Sequence, residues 1–250
     1  MSLKSRGEWN LPKKKKINDI LEYILKSREI KNSEHFLSPS LDDIPDSSSL
    51  FDSMSAAKLI IESVNKGKKI VIHGDFDSDG ICATSLLWDF LYRELSEFLE
   101  KKVDVIPYIP NRIEQGYGLT EDSLKDVLEL GGELLISVDC GVRDEKLINK
   151  YKKKNLSVII TDHHQPPEDL SPELSYPLVH QMYPNHEYPF TQICGTAVVF
   201  LLIQEIRKQV GMNYSISPDS KGLDLVALAT VTDLMPLTGI NRIFVSYGLK

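Results

Sequence analysis

The stretch Ile70–Leu91, IVIHGDFDSDGICATSLLWDFL, decides how this chain folds. Three aliphatic residues lead into His73-Gly74-Asp75-Phe76-Asp77-Ser78-Asp79-Gly80, and an apolar helical pattern follows. A short continuous apolar run bounded by a glycine turn reads as a buried strand. A strand that ends in alternating aspartates and feeds a helix is half of a βα unit, with its polar turn at the strand's C-terminal end.

Outward from this unit the pattern repeats. VDVIPYI (Val103–Ile109), ELLISVD (Glu133–Asp139) and LSVIITD (Leu156–Asp162) read as further strands. Between them, residues 81–100, 120–130 and 143–154 read as helices, the first with Thr84, Leu87, Trp88, Leu91, Leu95 and Phe98 on one side. Thr120 opens the second, with Glu121 and Asp122 suited to its positive end. This alternation predicts an α/β fold, a mostly parallel sheet with helices on both faces. Upstream, residues 17–30 and 53–65 read as N-terminal helices, the latter ended by Gly67, with a Ser/Pro/Asp-rich loop between them. Downstream, GTAVVFLLIQEI and GLDLVALATVTDL read as buried helices.

Bulk properties narrow the function classes. The 250 residues suffice for one large domain or two small ones. No apolar run reaches membrane-spanning length, and the N-terminus has no apolar signal core, so no membrane partner is expected. Cys82, Cys140 and Cys194 lie far apart, which fits neither a disulfide framework nor a zinc spacing and suits the cytoplasm. The net charge of −7 does not advertise a polyanion binder, and the lysine runs Lys13–Lys16 and Lys152–Lys154 read as solvated faces.

Three strands end in the same chemistry: His73 to Asp79, then Asp139, then Asp162-His163-His164. Parallel strands put their C-terminal ends on one edge, so these residues converge. Like charges about 4 Å apart repel by roughly 4 kcal/mol at an effective dielectric of 20, so carboxyls stay protonated or cations fill the site. Oxygen ligands with imidazoles suit Mn²⁺, with Mg²⁺ as the alternative. The acids suffice for two ions about 3.5–4 Å apart, an arrangement that promotes attack of water at phosphorus. An EF-hand calcium loop would need a Glu at position 86, where the chain has Leu86.

GDFDSDG, SVDCG, TDHH and ALATVTDLMPL (Ala227–Leu237, with Asp233 as its acid) together resemble the four motifs of the DHH phosphoesterases. Within that family PNRIEQGYGL, MYPNHEYPF, ICGTAVVFLL and NRIFVSYGL resemble the RecJ-type exonucleases, and the likeness runs from about Ile17 to the end. The resemblance implies that Asp139 bridges two metals. Asp79, His163 and Asp233 complete one shell, and Asp77, with His73 or Asp75, serves the other. It implies further that His164 lies beside the scissile phosphate, that Asp162 orients a histidine, and that Arg112 meets a phosphate. Residues 1–66 become a helical lead-in packing on the core, and 67–250 the catalytic domain. The family's second, strand-clamping domain and its OB domain are not in this sequence, which then reads as the N-terminal catalytic part of a longer protein.

The implied activity is 5′-to-3′ hydrolysis of single-stranded DNA to mononucleotides, with single-stranded DNA and other DNA-repair proteins as partners. A DHH phosphodiesterase or pyrophosphatase on oligoribonucleotides, cyclic dinucleotides or pyrophosphate is the first alternative. Non-catalytic modules are the others, either a DHH-derived binding subunit or an acidic regulatory metal-binding domain.

Overall fold

The apolar runs form the strands of a computed structural model that describes residues 20–183 and 186–250. The chain divides into two compact units, residues 1–38 and 39–250. In the first, α1 (Ile20–Ser27) buries only Leu25, and α2 (Ser33–Leu37) is capped by Asn32, whose side chain accepts from the His35 amide. Lys13–Lys16 and the first residues of the predicted 17–30 helix lie outside the described residues.

The second unit opens with two single 3₁₀ turns and then α3 (Ser53–Asn65). β1 (Ile70–Gly74) leads into α4 (Ser78–Asp89), which continues through a π-helical segment, Phe90–Leu95, into α5 (Ser96–Phe98). There follow β2 (Val105–Tyr108), α6 (Glu121–Glu129), β3 (Leu134–Val138), α7 (Glu145–Lys152) and β4 (Ser157–Thr161). Short strands β5 (Leu178–Val179), β6 (Met182–Tyr183) and β7 (His186–Glu187) precede α8 (Gly195–Val210), α9 (Leu223–Thr232) and α10 (Gly239–Gly248).

The five-stranded sheet has order β2-β1-β3-β4-β5 and is parallel throughout. β1 and β3 are buried over their full length, as continuous aliphatic strands must be when helices cover both faces. Pro107, which cannot donate to a ladder, sits on the edge strand β2. Successive side chains alternate faces. Ile70, Ile72, Leu134, Ile136 and Ile159 join α3, α4, α8 and α9 in one core. Val71, Leu135, Val158 and Ile160 join Leu124 and Val127 of α6 and Ile148 and Tyr151 of α7 in the other. The predicted parallel sheet with helices on both faces is therefore present, with N-terminal helices before it.

The differences are local. The helix expected from residue 81 starts at Ser78, because Asp77 caps it by accepting from the Gly80 amide at 2.9 Å. The fifth strand, two residues long, has no sequence period to reveal it. Lysines at the end of α7 are engaged with neighbours: Lys152 donates to the Ser175 carbonyl, and Lys154 lies 4.5 Å from the Tyr151 ring centroid. Among the described residues no helix is long and apolar enough to cross a membrane.

Candidate metal centre

The C-terminal ends of β1, β3 and β4 lie side by side, with Gly74 paired to Val138 and Val138 to Thr161. Asp75, Asp139 and Asp162 each follow one of those strands directly, so the register alone brings three buried carboxyl groups to one edge. Asp139 leaves β3 with φ +62°, a left-handed conformation that Asp and Asn adopt more readily than most residues. Gly195 makes room for it: a Cβ there would come within 2.7 Å of Asp139 Oδ1. Gly80 does the same for Asp75, whose Cβ would be 2.6 Å away.

Asp79, one residue into α4, is held from far along the chain. Its carboxylate accepts from the Gly195 amide at 2.6 Å, the Thr196 amide at 2.7 Å and the Thr196 hydroxyl at 2.6 Å. Those donors are the first groups of α8, where unpaired amides and the helix dipole favour an anion. Asp233 follows the last residue of α9, and Thr232 ties that helix end to Ser78 through a 3.0 Å hydroxyl contact.

His163 joins the pieces. Its Nε2 stands 3.2 Å from Asp139 Oδ1, 3.7 Å from Asp79 Oδ2 and 3.6 Å from Asp233 Oδ2. Its carbonyl accepts from Gln181 Nε2 at 2.7 Å. Asp162 itself points away from this focus. It accepts from the amides of Val142, His163 and His164 and binds His164 Nδ1 at 2.8 Å. His180 Nε2 meets the His164 carbonyl at 2.9 Å, and the Tyr117 hydroxyl lies 3.1 Å from His164 Nε2. Arg112 stacks over Phe76, between Asp75 and Asp77, at 4.9 Å from the ring centroid.

The electrostatics follow from this crowding. Burial, then the charges of Asp79, Asp77 and Asp162, push the Asp139 carboxyl well above its ordinary range. Burial raises Asp75, with Asp77 adding to it, and raises Asp233, with the Asp79 charge adding and His163 opposing. For Asp162 burial also opposes ionisation, but the His164 hydrogen bond and charge together with the amide donors outweigh it and leave the carboxyl lowered. The Asp162 hydrogen bond in turn raises His164.

Whether a cation fits can be judged from unsatisfied atoms. Buried acceptors without a partner are costly, and native proteins keep few of them. Asp139 Oδ1 and Asp233 Oδ2 are both buried and unpartnered, and both face His163 Nε2. Among the described residues, three groups place atoms able to ligate a metal within 4.8 Å of one another: Asp75/Asp77/Asp139, Asp79/His163/Asp233 and Asp139/His163/His164. Asp139 is common to two of these groups. Hard carboxylate oxygens with an imidazole suit Mn²⁺ or Mg²⁺.

His73 stands apart from these groups. It is buried in β1, with Nδ1 3.8 Å from Cys140 Sγ and its ring against Tyr108, and burial lowers its pKa to about 4. Its Nε2 is buried without a hydrogen-bond partner. Arg112 reaches the Asp75–Asp77 turn through Phe76, and its charge favours the ionised form of Asp75.

Residue-level reading of the sequence did not assign Tyr117, Gly195, Thr196 or Gln181. Tyr117, Gly195 and Thr196 belong to GYGL and ICGT, which carry likeness but no chemistry by themselves, and Gln181 lies in no such stretch.

The family model "DHH family, N-terminal domain" matches residues 69–230. The chain belongs to the DHH family. Single-stranded-DNA-specific exonuclease RecJ of Bacillus subtilis is 35% identical over 195 residues, covering 78% of this chain and 23% of that protein. RecJ of Haemophilus influenzae is 33% identical over 235 residues, covering 92% and 39%. RecJ of Thermus thermophilus, solved in complex with Mn²⁺ and also with Mg²⁺, superposes its Mn²⁺ form with a TM-score of 0.69 at 29% identity, over 92% of this chain and 30% of its own. This DHH chain therefore spans well under half the length of those relatives. The DHH match ends before Asp233, which enters the cluster through the fold rather than through the matched segment.

Proposed function

We propose that the DHH domain carries out metal-dependent hydrolysis of phosphodiester bonds, as a RecJ-like exonuclease acting 5′ to 3′ on single-stranded DNA and releasing mononucleotides. The observation that carries the reading is the pair of unpartnered buried oxygens, Asp139 Oδ1 and Asp233 Oδ2, directed at His163 Nε2. Mn²⁺ fits this donor set, with Mg²⁺ as the alternative. Asp75, Asp77 and Asp139 would hold one ion, and Asp79, His163 and Asp233, with Asp139 shared, the other. Bound divalent cations supply activation of water and neutralisation of charge at phosphorus.

The chain's own groups do the rest. Asp162 fixes the His164 ring through Nδ1, and that hydrogen bond favours the protonated imidazole. A protonated imidazole beside the phosphate stabilises its negative charge and can deliver a proton to the departing oxygen. Arg112 offers a planar fork of donors to a phosphate on the Asp75–Asp77 side. The 410 Å³ cleft bordered by Tyr117, Gly141, Arg143, Asp144 and His164 leaves space beside that histidine for a nucleotide. The buried unpaired thiols Cys82, Cys140 and Cys194 suit a cytoplasmic enzyme.

The test is digestion of 5′- and 3′-end-labelled single-stranded DNA in Mn²⁺, beside duplex DNA, short RNA and cyclic dinucleotides. Mononucleotide release from the 5′ end of single strands supports the reading. Turnover of cyclic dinucleotides or short RNA with intact DNA would move the domain to the small-substrate phosphodiesterases.

A further inference from the structure

The segment Asn111–Tyr117 runs across the rim of the metal centre from one side to the other. At one end Arg112 lies over Phe76, within the Asp75–Asp77 turn. At the other the Tyr117 hydroxyl reaches His164. Between them every side chain is exposed except that of Gln115, which is half-buried. Ile113 is almost fully exposed, at 94%. The segment therefore has no apolar anchor, and its position depends on polar contacts.

Gln115 uses both ends of its amide. Oε1 accepts from the Asn111 amide at 2.9 Å, which closes the turn together with the Gln115 amide donating to the Asn111 carbonyl at 2.8 Å. Nε2 donates to the Tyr108 hydroxyl at 2.7 Å and to Asp126 Oδ2 at 2.8 Å. Tyr108 donates to the same Asp126 oxygen at 2.6 Å. Tyr108 belongs to β2 and Asp126 to α6, two rigid elements of the scaffold. Both donors hold Asp126 below its usual range, so the carboxylate stays ionised as their acceptor.

We propose that Gln115 is a positioning residue: clamped between Tyr108 and Asp126, it holds the Asn111–Tyr117 strap so that Arg112 and Tyr117 face the DNA phosphates. Gln115 itself touches no cluster ligand and takes no part in metal binding. The proposal rests on the nuclease reading above for its substrate, while the anchoring stands on the geometry alone.

The test compares wild type, Gln115→Ala, Gln115→Glu, and the double variant Gln115→Glu with Asp126→Asn. Losing the three side-chain hydrogen bonds of Gln115 should open the strap and speed trypsin cleavage at Arg112–Ile113 by about tenfold or more. Gln115→Glu sets a second carboxylate against Asp126 and should open it at least as far. The double variant restores a donor opposite an acceptor and should return cleavage toward the wild-type rate. Against single-stranded DNA, Gln115→Ala should raise KM about tenfold with kcat nearly unchanged, since the strap contributes binding rather than chemistry. The Mn²⁺-induced rise in melting temperature should match wild type in all variants. Wild-type trypsin resistance in Gln115→Ala, failure of the double variant to recover, or an unchanged KM would each overturn the proposal. If wild type leaves DNA intact, the nuclease reading fails, and the proteolysis and rescue arms still decide the anchoring.

Discussion

Asp139→Asn should make the metal-free protein more stable and the Mn²⁺-loaded protein less stable than wild type. Asn tolerates the left-handed φ of +62° at this position, so the backbone is kept and only the charge is removed. In wild type without metal, Asp139 and Asp75 are both buried, and their nearest oxygens lie within 4.8 Å. Two full charges at that distance repel by about 3.5 kcal/mol at an effective dielectric of 20. Protonation relieves part of this, at a cost that grows as pH rises past the unfolded carboxyl range. At about 2–4 °C per kcal/mol for a chain of this size, the substitution should raise the melting temperature in EDTA by about 4–10 °C at pH 7.5. An ion that binds only the native state at one hundred times its dissociation constant adds about 2.7 kcal/mol per site. If Asp139 is the shared anionic ligand proposed above, most of that gain, about 5–10 °C, should disappear from the variant. The assay is a pair of melts, EDTA against saturating Mn²⁺, for both proteins. A variant that melts below wild type in EDTA, or that keeps the full Mn²⁺ shift, would refute the account of repelling carboxylates around a shared ligand.

Gly195→Ala should displace the Asp139 carboxyl, because the new Cβ would lie within 2.7 Å of Oδ1; overpacking of this kind costs about 1–3 kcal/mol, read by urea unfolding, and Mn²⁺ affinity by calorimetry should fall with it. Thr196→Val removes a 2.6 Å hydroxyl donor from the buried Asp79 carboxylate and should cost about 1.5–3 kcal/mol in the same unfolding assay. The Asp162–His164 pair gives a signed pH dependence. The raised histidine contributes stability below about pH 6.5 that is lost as pH rises through its folded value, and the lowered carboxyl contributes stability above about pH 4 that is lost as pH falls through its own. The stability difference between wild type and Asp162→Asn in EDTA should therefore peak between about pH 4 and 6.5 and shrink above it, as chemical denaturation across pH will show.

The sheet was legible because buried parallel strands are continuous apolar runs, and Ile70–Ile72, Leu134–Ile136 and Val158–Ile160 have no other economical reading. The convergence of Asp75, Asp139 and His163 followed from strand polarity alone. Asp233 could be assigned only by family likeness, since nothing in a helix C-terminus announces which distant acid it will meet. The capping role of Asp77 has no separate signal for a related reason: one spacing serves both a candidate ligand and a helix cap. β5 is too short for any period to register. α10 carried an apolar pattern in NRIFVSYGL but entered only as likeness, and the structure buries Ile240, Ile243 and Phe244 from it. The Gln115 clamp joins residues 7 and 11 positions apart through a side-chain amide, a contact with no periodic signature.

The carboxylate of Asp79 caps α8 across 116 residues of sequence while also lying within 4.8 Å of candidate metal-binding atoms of His163 and Asp233. α8 is buried along almost its whole length. A scan that replaces each acid by alanine would thus mix two different failures. Loss of Asp79 strips the first turn of a central helix of its buried anion, so the resulting inactivity would report on assembly of the core as much as on chemistry. Asp77 is exposed and caps only the helix it begins, so its loss should weigh less on the core, and melting both variants beside their activity separates how this protein is built from what it does.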